Sequence, residues 1–104
     1  MCSEMYHWPL MDDNDPDDRL FALGRALSCR VRLAVLQNLA RGDASVSELV
    51  EHTGATQSNM SNHLAVLRTA GLVTAEREGR VVRYRLASAA AAELVRSLTV
   101  LADR

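Results

Sequence analysis

The stretch Gly54 to Leu72, GATQSNMSNHLAVLRTAGL, limits what this chain can fold into more than any other. Thr56 is a good N-cap, because its hydroxyl can accept one of the orphan N–H groups of a helix's first turn. Met60, Leu64 and Leu67 then recur at spacings of four and three, the inner face of a helix. Gln57, Ser58, Asn59, Ser61 and Asn62 fill the other face with amides and hydroxyls, where a solvated helix usually carries Lys and Glu. Short neutral side chains that both donate and accept hydrogen bonds are what a helix needs to read base edges in a major groove. His63 and Arg68 complete the candidate set on this helix, and Gly71 ends it as a C′ glycine does. An ordinary amphipathic helix with a polar outer face would show the same pattern, so the helix alone does not decide.

The next segment does. Leu72 to Leu86, LVTAEREGRVVRYRL, is rich in Val, and Glu78-Gly79-Arg80 interrupts it. Two short runs about a glycine turn predict a β-hairpin. Arg77, Arg80, Arg83 and Arg85 cluster on or beside it. A basic hairpin directly after a polar-faced helix is the order of a winged helix-turn-helix, with the helix in a groove and the wing's arginines on phosphates or the neighbouring minor groove. A solvated hairpin face is the plainer account of the arginines, and their position behind that helix argues against it.

The net charge of −1 conceals an asymmetry that suits a polyanionic partner. Residues 1 to 18 hold six acids and no base, leaving 12 Arg against 7 acids in the remainder, a net of +5. Every basic residue is Arg, which suits bidentate contacts to phosphate and guanine, although a GC-rich genome would produce the same bias. No apolar run approaches the roughly 20 residues that span a bilayer, and no signal peptide is visible. Two cysteines, Cys2 and Cys29, do not make a disulfide scaffold and point to a reducing, cytoplasmic setting. There is no nucleophile beside a base, no glycine-rich phosphate loop and no paired acids, so neither an enzyme nor a small-molecule substrate is expected.

The rest of the chain supplies the frame. Residues 1 to 15, MCSEMYHWPLMDDND, lack a clean period and read as an acidic N-terminal arm, with residues 16 to 104 as the folded domain. Asp15-Pro16-Asp17-Asp18 is a strong helix start, followed by Leu20, Phe21, Leu23, Ala26 and Leu27. A second helix carries Val31, Leu33, Val35, Leu36 and Leu39 and ends near Gly42, and a third runs from Val46 to Thr53. Ala87 to Arg104 forms a last helix with Leu94, Leu98 and Leu101 in a stripe. The expected fold is therefore mainly α (α+β): about five helices and a two-stranded β-hairpin wing. Phe21, Leu23 and Leu27 on the first helix and Leu94, Leu98 and Leu101 on the last present more apolar surface than so small a monomer covers, which predicts a homodimer.

This order of elements, with Leu27-Ser28-x-x-x-Arg32-Leu33, then SNMSNHLAVLRTAGLV and REGRVVRYRL, resembles the ArsR/SmtB family of bacterial metal-sensing repressors over roughly residues 19 to 101. The resemblance implies a homodimer packed through its first and last helices that represses transcription at operator DNA and is released or modulated by a metal or another inducer. The family's sensing ligands do not transfer. Ala44-Ser45-Val46-Ser47-Glu48-Leu49 lacks the thiols of one site, and Ser88 and Ala90 replace the Asp-x-His pair of another. Val66 and Ala70 stand where some cadmium/lead sensors carry cysteines in the recognition helix.

Three atypical ligands remain. Cys29 stands where the family usually has Asp, just before the second helix, where the dipole and Arg30 or Arg32 favour a thiolate. Cys2 and His7 lie in the arm among acidic residues. Such a Cys/His set suits Ni, Zn, Co or Cd better than Mg or Ca. The competing readings are a thiol-redox switch between Cys2 and Cys29, and a winged-helix protein-interaction module without a metal effector.

Overall fold

A computed structural model of the chain describes residues 15 to 103. The elements run α1 (Pro16–Leu27), α2 (Arg30–Arg41), β1 (Ala44–Ser45), α3 (Val46–Thr53), α4 (Gln57–Thr69), β2 (Val73–Glu78), β3 (Val81–Leu86) and α5 (Ala89–Ala102). The five expected helices and the wing are present, and the sheet gains one short strand. Its order is β1-β3-β2, all antiparallel, with Ala44 opposite Tyr84 and Ser45 opposite Arg83. That third strand ties the base of the wing to the residues entering α3.

Four of the five helices begin at a side-chain cap, α2 being the exception. Asp15 caps α1 by accepting from the Asp17 N–H at 2.9 Å, with Pro16 in the first turn. Ser45 and Glu48 form a capping box on α3: the Ser45 N–H donates to the Glu48 carboxylate at 2.8 Å, and the Glu48 N–H donates to the Ser45 hydroxyl at 3.3 Å. The donated Ser45 N–H also holds the Glu48 carboxyl below the usual carboxylate range, helped by Arg83. Because that pKa is lowered on folding, this part of the cap is present above the ordinary carboxylate range and is lost as the pH falls through the lowered value.

The core is a layer of apolar side chains shared by the helices and the base of the sheet. Ala26, Val35, Leu36, Leu49, Met60, Leu64 and Leu67 are essentially inaccessible, and Leu72, Val73, Ala91 and Val95 close the layer beneath α5. Burying each large aliphatic side chain stabilises by about 1.5–3 kcal/mol, so the underside of α4 alone anchors that helix firmly. Among the described residues no helix is long and apolar enough to cross a membrane.

Candidate nucleic-acid interface

The turn between α3 and α4 is three residues long and glycine-led. Gly54 adopts φ +78°, the left-handed C-cap of α3, and its N–H returns to the Val50 carbonyl at 2.8 Å. Thr53 accepts from the Ala55 N–H through its hydroxyl, and Thr56 caps α4 by accepting from the Asn59 N–H at 3.1 Å. The N–H groups of Gly54 and Ala55 are thus tied back to α3, and the Thr56 cap fixes where α4 starts.

The two faces of α4 separate as its sequence indicates. Met60, Leu64 and Leu67 are buried, whereas Gln57, Ser58, Asn59, Ser61, Asn62 and Arg68 are exposed and His63 is half-buried. The helix ends in a Schellman motif: Leu72 N–H reaches the Leu67 carbonyl at 2.9 Å, and Gly71 N–H reaches that of Arg68 at 2.9 Å. Gly71 takes φ +82°, a conformation a β-carbon would strain. This tight exit sends the chain straight into β2.

Within the wing the arginines divide. The Arg83 guanidinium donates to the Asp43 carbonyl at 3.1 Å and lies 3.5 Å from the Glu48 carboxylate. Arg85 lies 3.1 Å from Asp43 and 2.9 Å from Glu76. These two side chains hold the base of the hairpin to the α3 entrance. Arg77 and Arg80 stand outside that network and are exposed toward the tip. The loop is the pair Gly79-Arg80, with Glu78 still paired to Val81 and Gly79 at φ +65°, a glycine-first loop that suits a II′ turn. Of the wing arginines named from the sequence, Arg77 and Arg80 are placed for an external anion and Arg83 is engaged internally. Arg85 is likewise engaged internally, and Asp43 and Glu48, which secure the wing with these two arginines, were not named as partners from the sequence. The Ser45-Val46-Ser47-Glu48 spacing is a sequence signal for the capping box, but nothing local foretells the cross-chain pairs.

Replacing Arg80 by Ala is accordingly expected to lower affinity for every duplex alike and to reduce the salt slope of binding by about one unit. Fluorescence anisotropy over a salt series checks this; an unchanged slope would place the wing away from the phosphates.

The ligands named for a metal are not brought together within the described residues. Cys2 and His7 lie outside them. Cys29 is the N-cap residue of α2 and is 4% exposed. Among the described residues no group of three His, Cys, Asp or Glu side chains is arranged to hold a metal ion. His52 bonds its own helix through the Glu48 carbonyl at 2.8 Å.

The apolar stripes of α1 and α5 are only partly internal. Leu23, Leu27 and Leu94 pack against the core and Leu98 is half-buried, but Phe21 is 44% and Leu101 75% exposed. Leu20 and Val100, not among the interface residues expected from the sequence, are exposed as well. A groove of about 800 Å³ runs between α2 and α5 beside Leu27, Leu33 and Leu98.

Residues 29–75 match the family described as "Bacterial regulatory protein, arsR family". The transcriptional regulator CmtR of Mycobacterium tuberculosis is 48% identical over 71 residues, which are 68% of this chain and 60% of that protein, so the chain spans under two thirds of that relative's length. A homodimeric winged helix-turn-helix DNA-binding domain from Mycobacterium bovis superposes with a TM-score of 0.81 at 33% identity, over 92% of this chain and 91% of that one. The solution structure of CmtR from M. tuberculosis, described as a cadmium metal-sensor, superposes with a TM-score of 0.66 at 46% identity, over 76% of this chain and 81% of that one.

Proposed function

The chain belongs to the ArsR family of bacterial regulators, and on that premise we propose that it is a homodimeric repressor that binds operator DNA sequence-specifically. The observation that carries this reading is the seating of α4: its apolar side is sealed into the core, its amide-and-hydroxyl side faces solvent, and the two exposed wing arginines lie beyond it. Gln57, Ser58, Asn59, Ser61 and Asn62 read base edges, with Thr56, His63 and Arg68 at the margins of that surface. The exposed Phe21 and Leu101 and the groove behind them form the two-fold interface. In such a dimer the two α4 helices lie about 34–36 Å apart, matching half-sites one turn of DNA apart.

The test is binding to the duplex immediately upstream of the protein's own gene, against a scrambled duplex at the same salt concentration. Asn59→Ala and Ser61→Ala are each expected to weaken binding to the true site by about 1–3 kcal/mol while leaving the scrambled duplex nearly unaffected. Equal loss on both duplexes would reassign these residues to the phosphate backbone. No discrimination by the parent protein would favour an interaction module instead.

Two effector chemistries share Cys29. A divalent transition metal of the Ni, Zn, Co or Cd class, held by Cys2, His7 and Cys29, is supported by the kinship to a cadmium metal-sensor and by the softness of that ligand set. The described residues alone do not fit a metal, because of that set they hold only Cys29 and no group of three His, Cys, Asp or Glu side chains converges. A thiol-disulfide response between Cys2 and Cys29 is the other chemistry this pair of residues offers. Operator affinity measured with reduced protein separates them. A metal sensor changes affinity on adding metal and reverts with chelator, whereas a redox regulator changes only on oxidation and reverts with dithiothreitol. Cys29→Ser abolishes either response.

A further inference from the structure

Arg32 is 2% exposed and sits in the first turn of α2, a place where a cation opposes the helix dipole and burial is costly. Its guanidinium is aimed away from α2. Nε donates to the Ala26 carbonyl at 2.8 Å, and one terminal nitrogen donates to the Arg25 carbonyl at 3.1 Å. Both carbonyls belong to the last turn of α1, where the negative end of the dipole favours a cation, and that of Arg25 also accepts the Ser28 N–H at 3.1 Å. The other terminal nitrogen lies 3.3 Å from Nδ1 of His63 on α4. A guanidinium only donates, so Nδ1 is the acceptor in this contact. Beside this bridge an open cleft of about 310 Å³ separates α1 from α4, lined by Ala22, Arg25, Ala65, Val66 and Thr69 together with Arg32 itself.

We propose that Arg32 is a positioning residue for DNA recognition: it crosses the gap between α1 and α4 and fixes the recognition helix, through His63, to the end of the dimerisation helix. The inference rests on the repressor reading of α4 and names the side chain that sets its pose. A planar fork with donors on three sides can hold two carbonyls and an imidazole at once; a Lys ammonium at the end of a flexible stem cannot reproduce that geometry.

The experiment is a double-mutant cycle on the full chain with Arg32→Met and His63→Leu, read as affinity for the duplex upstream of its gene and for a scrambled duplex. Each single variant is expected to lose roughly tenfold or more on the true site, as for a hydrogen bond to a charged group, with little change on the scrambled one. The double variant should lose little more than either alone. Additive losses would mean that His63 acts on DNA independently of Arg32 and would overturn the proposal, as would a folded Arg32→Met dimer with native affinity. His63→Asn, which keeps a side-chain acceptor near the Nδ1 position, should restore part of the affinity lost in His63→Leu. Should Arg32→Met fail to fold, Arg32→Lys takes its place in the cycle. Amide shifts measured without DNA give an independent readout: they should move along Gln57 to Thr69 in the Arg32 variants and stay in place if the proposal is wrong. A parent protein that does not discriminate the two duplexes would instead sink the repressor reading, with those shifts still deciding the role of Arg32.

Discussion

Leu101→Asp is expected to turn the protein into a monomer that keeps its fold and loses operator binding. Leu101 is 75% exposed in the isolated chain, so the aspartate costs the monomer almost nothing. In a two-fold dimer joined through α1 and α5, the same change places two carboxylates in one apolar seam, because an isologous interface repeats every residue. Each uncompensated buried charge costs roughly 3–5 kcal/mol. Two of them would weaken even a nanomolar dimer, about −12 kcal/mol, into the micromolar range or beyond. Operator affinity should fall with it, because a single α4 reaches one half-site only. Sedimentation velocity and circular dichroism read the two consequences separately. A variant that stays dimeric with native affinity would move the interface off α5. Leu98, half-buried against its own chain, is a poorer probe, since its replacement by Asp would disturb the monomer as well.

Leu49→Ala is expected to destabilise the domain by about 2–5 kcal/mol, the range for deleting a fully buried Leu where the cavity cannot collapse. Leu49 is 0% exposed on α3, in the layer that also holds Met60, Leu64 and Leu67 of the recognition helix. For a chain of this length, total stability is commonly about 5–15 kcal/mol, so the midpoint of thermal unfolding should drop by roughly 10 °C or more. At temperatures where the variant is still folded its operator affinity should be close to native, because no exposed group of α4 has changed. Asn59→Ala should do the reverse, sparing stability and weakening specific binding. Calorimetry paired with anisotropy tests this double dissociation. A Leu49→Ala protein that melts normally would mean that the layer under α4 repacks, and the rigid seating ascribed to that helix would be lost.

Several features follow from short stretches of sequence because their physics is local. The N-caps Asp15 and Thr56, the terminating Gly71 and the spacing of Met60, Leu64 and Leu67 each act within a turn or two of helix, and the structure bears them out. The hairpin is equally local, its turn set by Gly79. What required the tertiary structure are the contacts that join distant positions. Arg83 and Arg85 read along the chain like Arg77 and Arg80, one basic run; only the pairing of β1 with β3 brings Asp43 and Glu48 within reach and withdraws the first two into the base of the wing. Arg32 reads as one more helical cation until the fold buries it between the carbonyls ending α1 and the imidazole of His63, 31 positions away in the chain. Local hydrogen bonds and periodic burial are written in neighbouring residues, whereas the partner of a long charged side chain depends on which helices the core draws together.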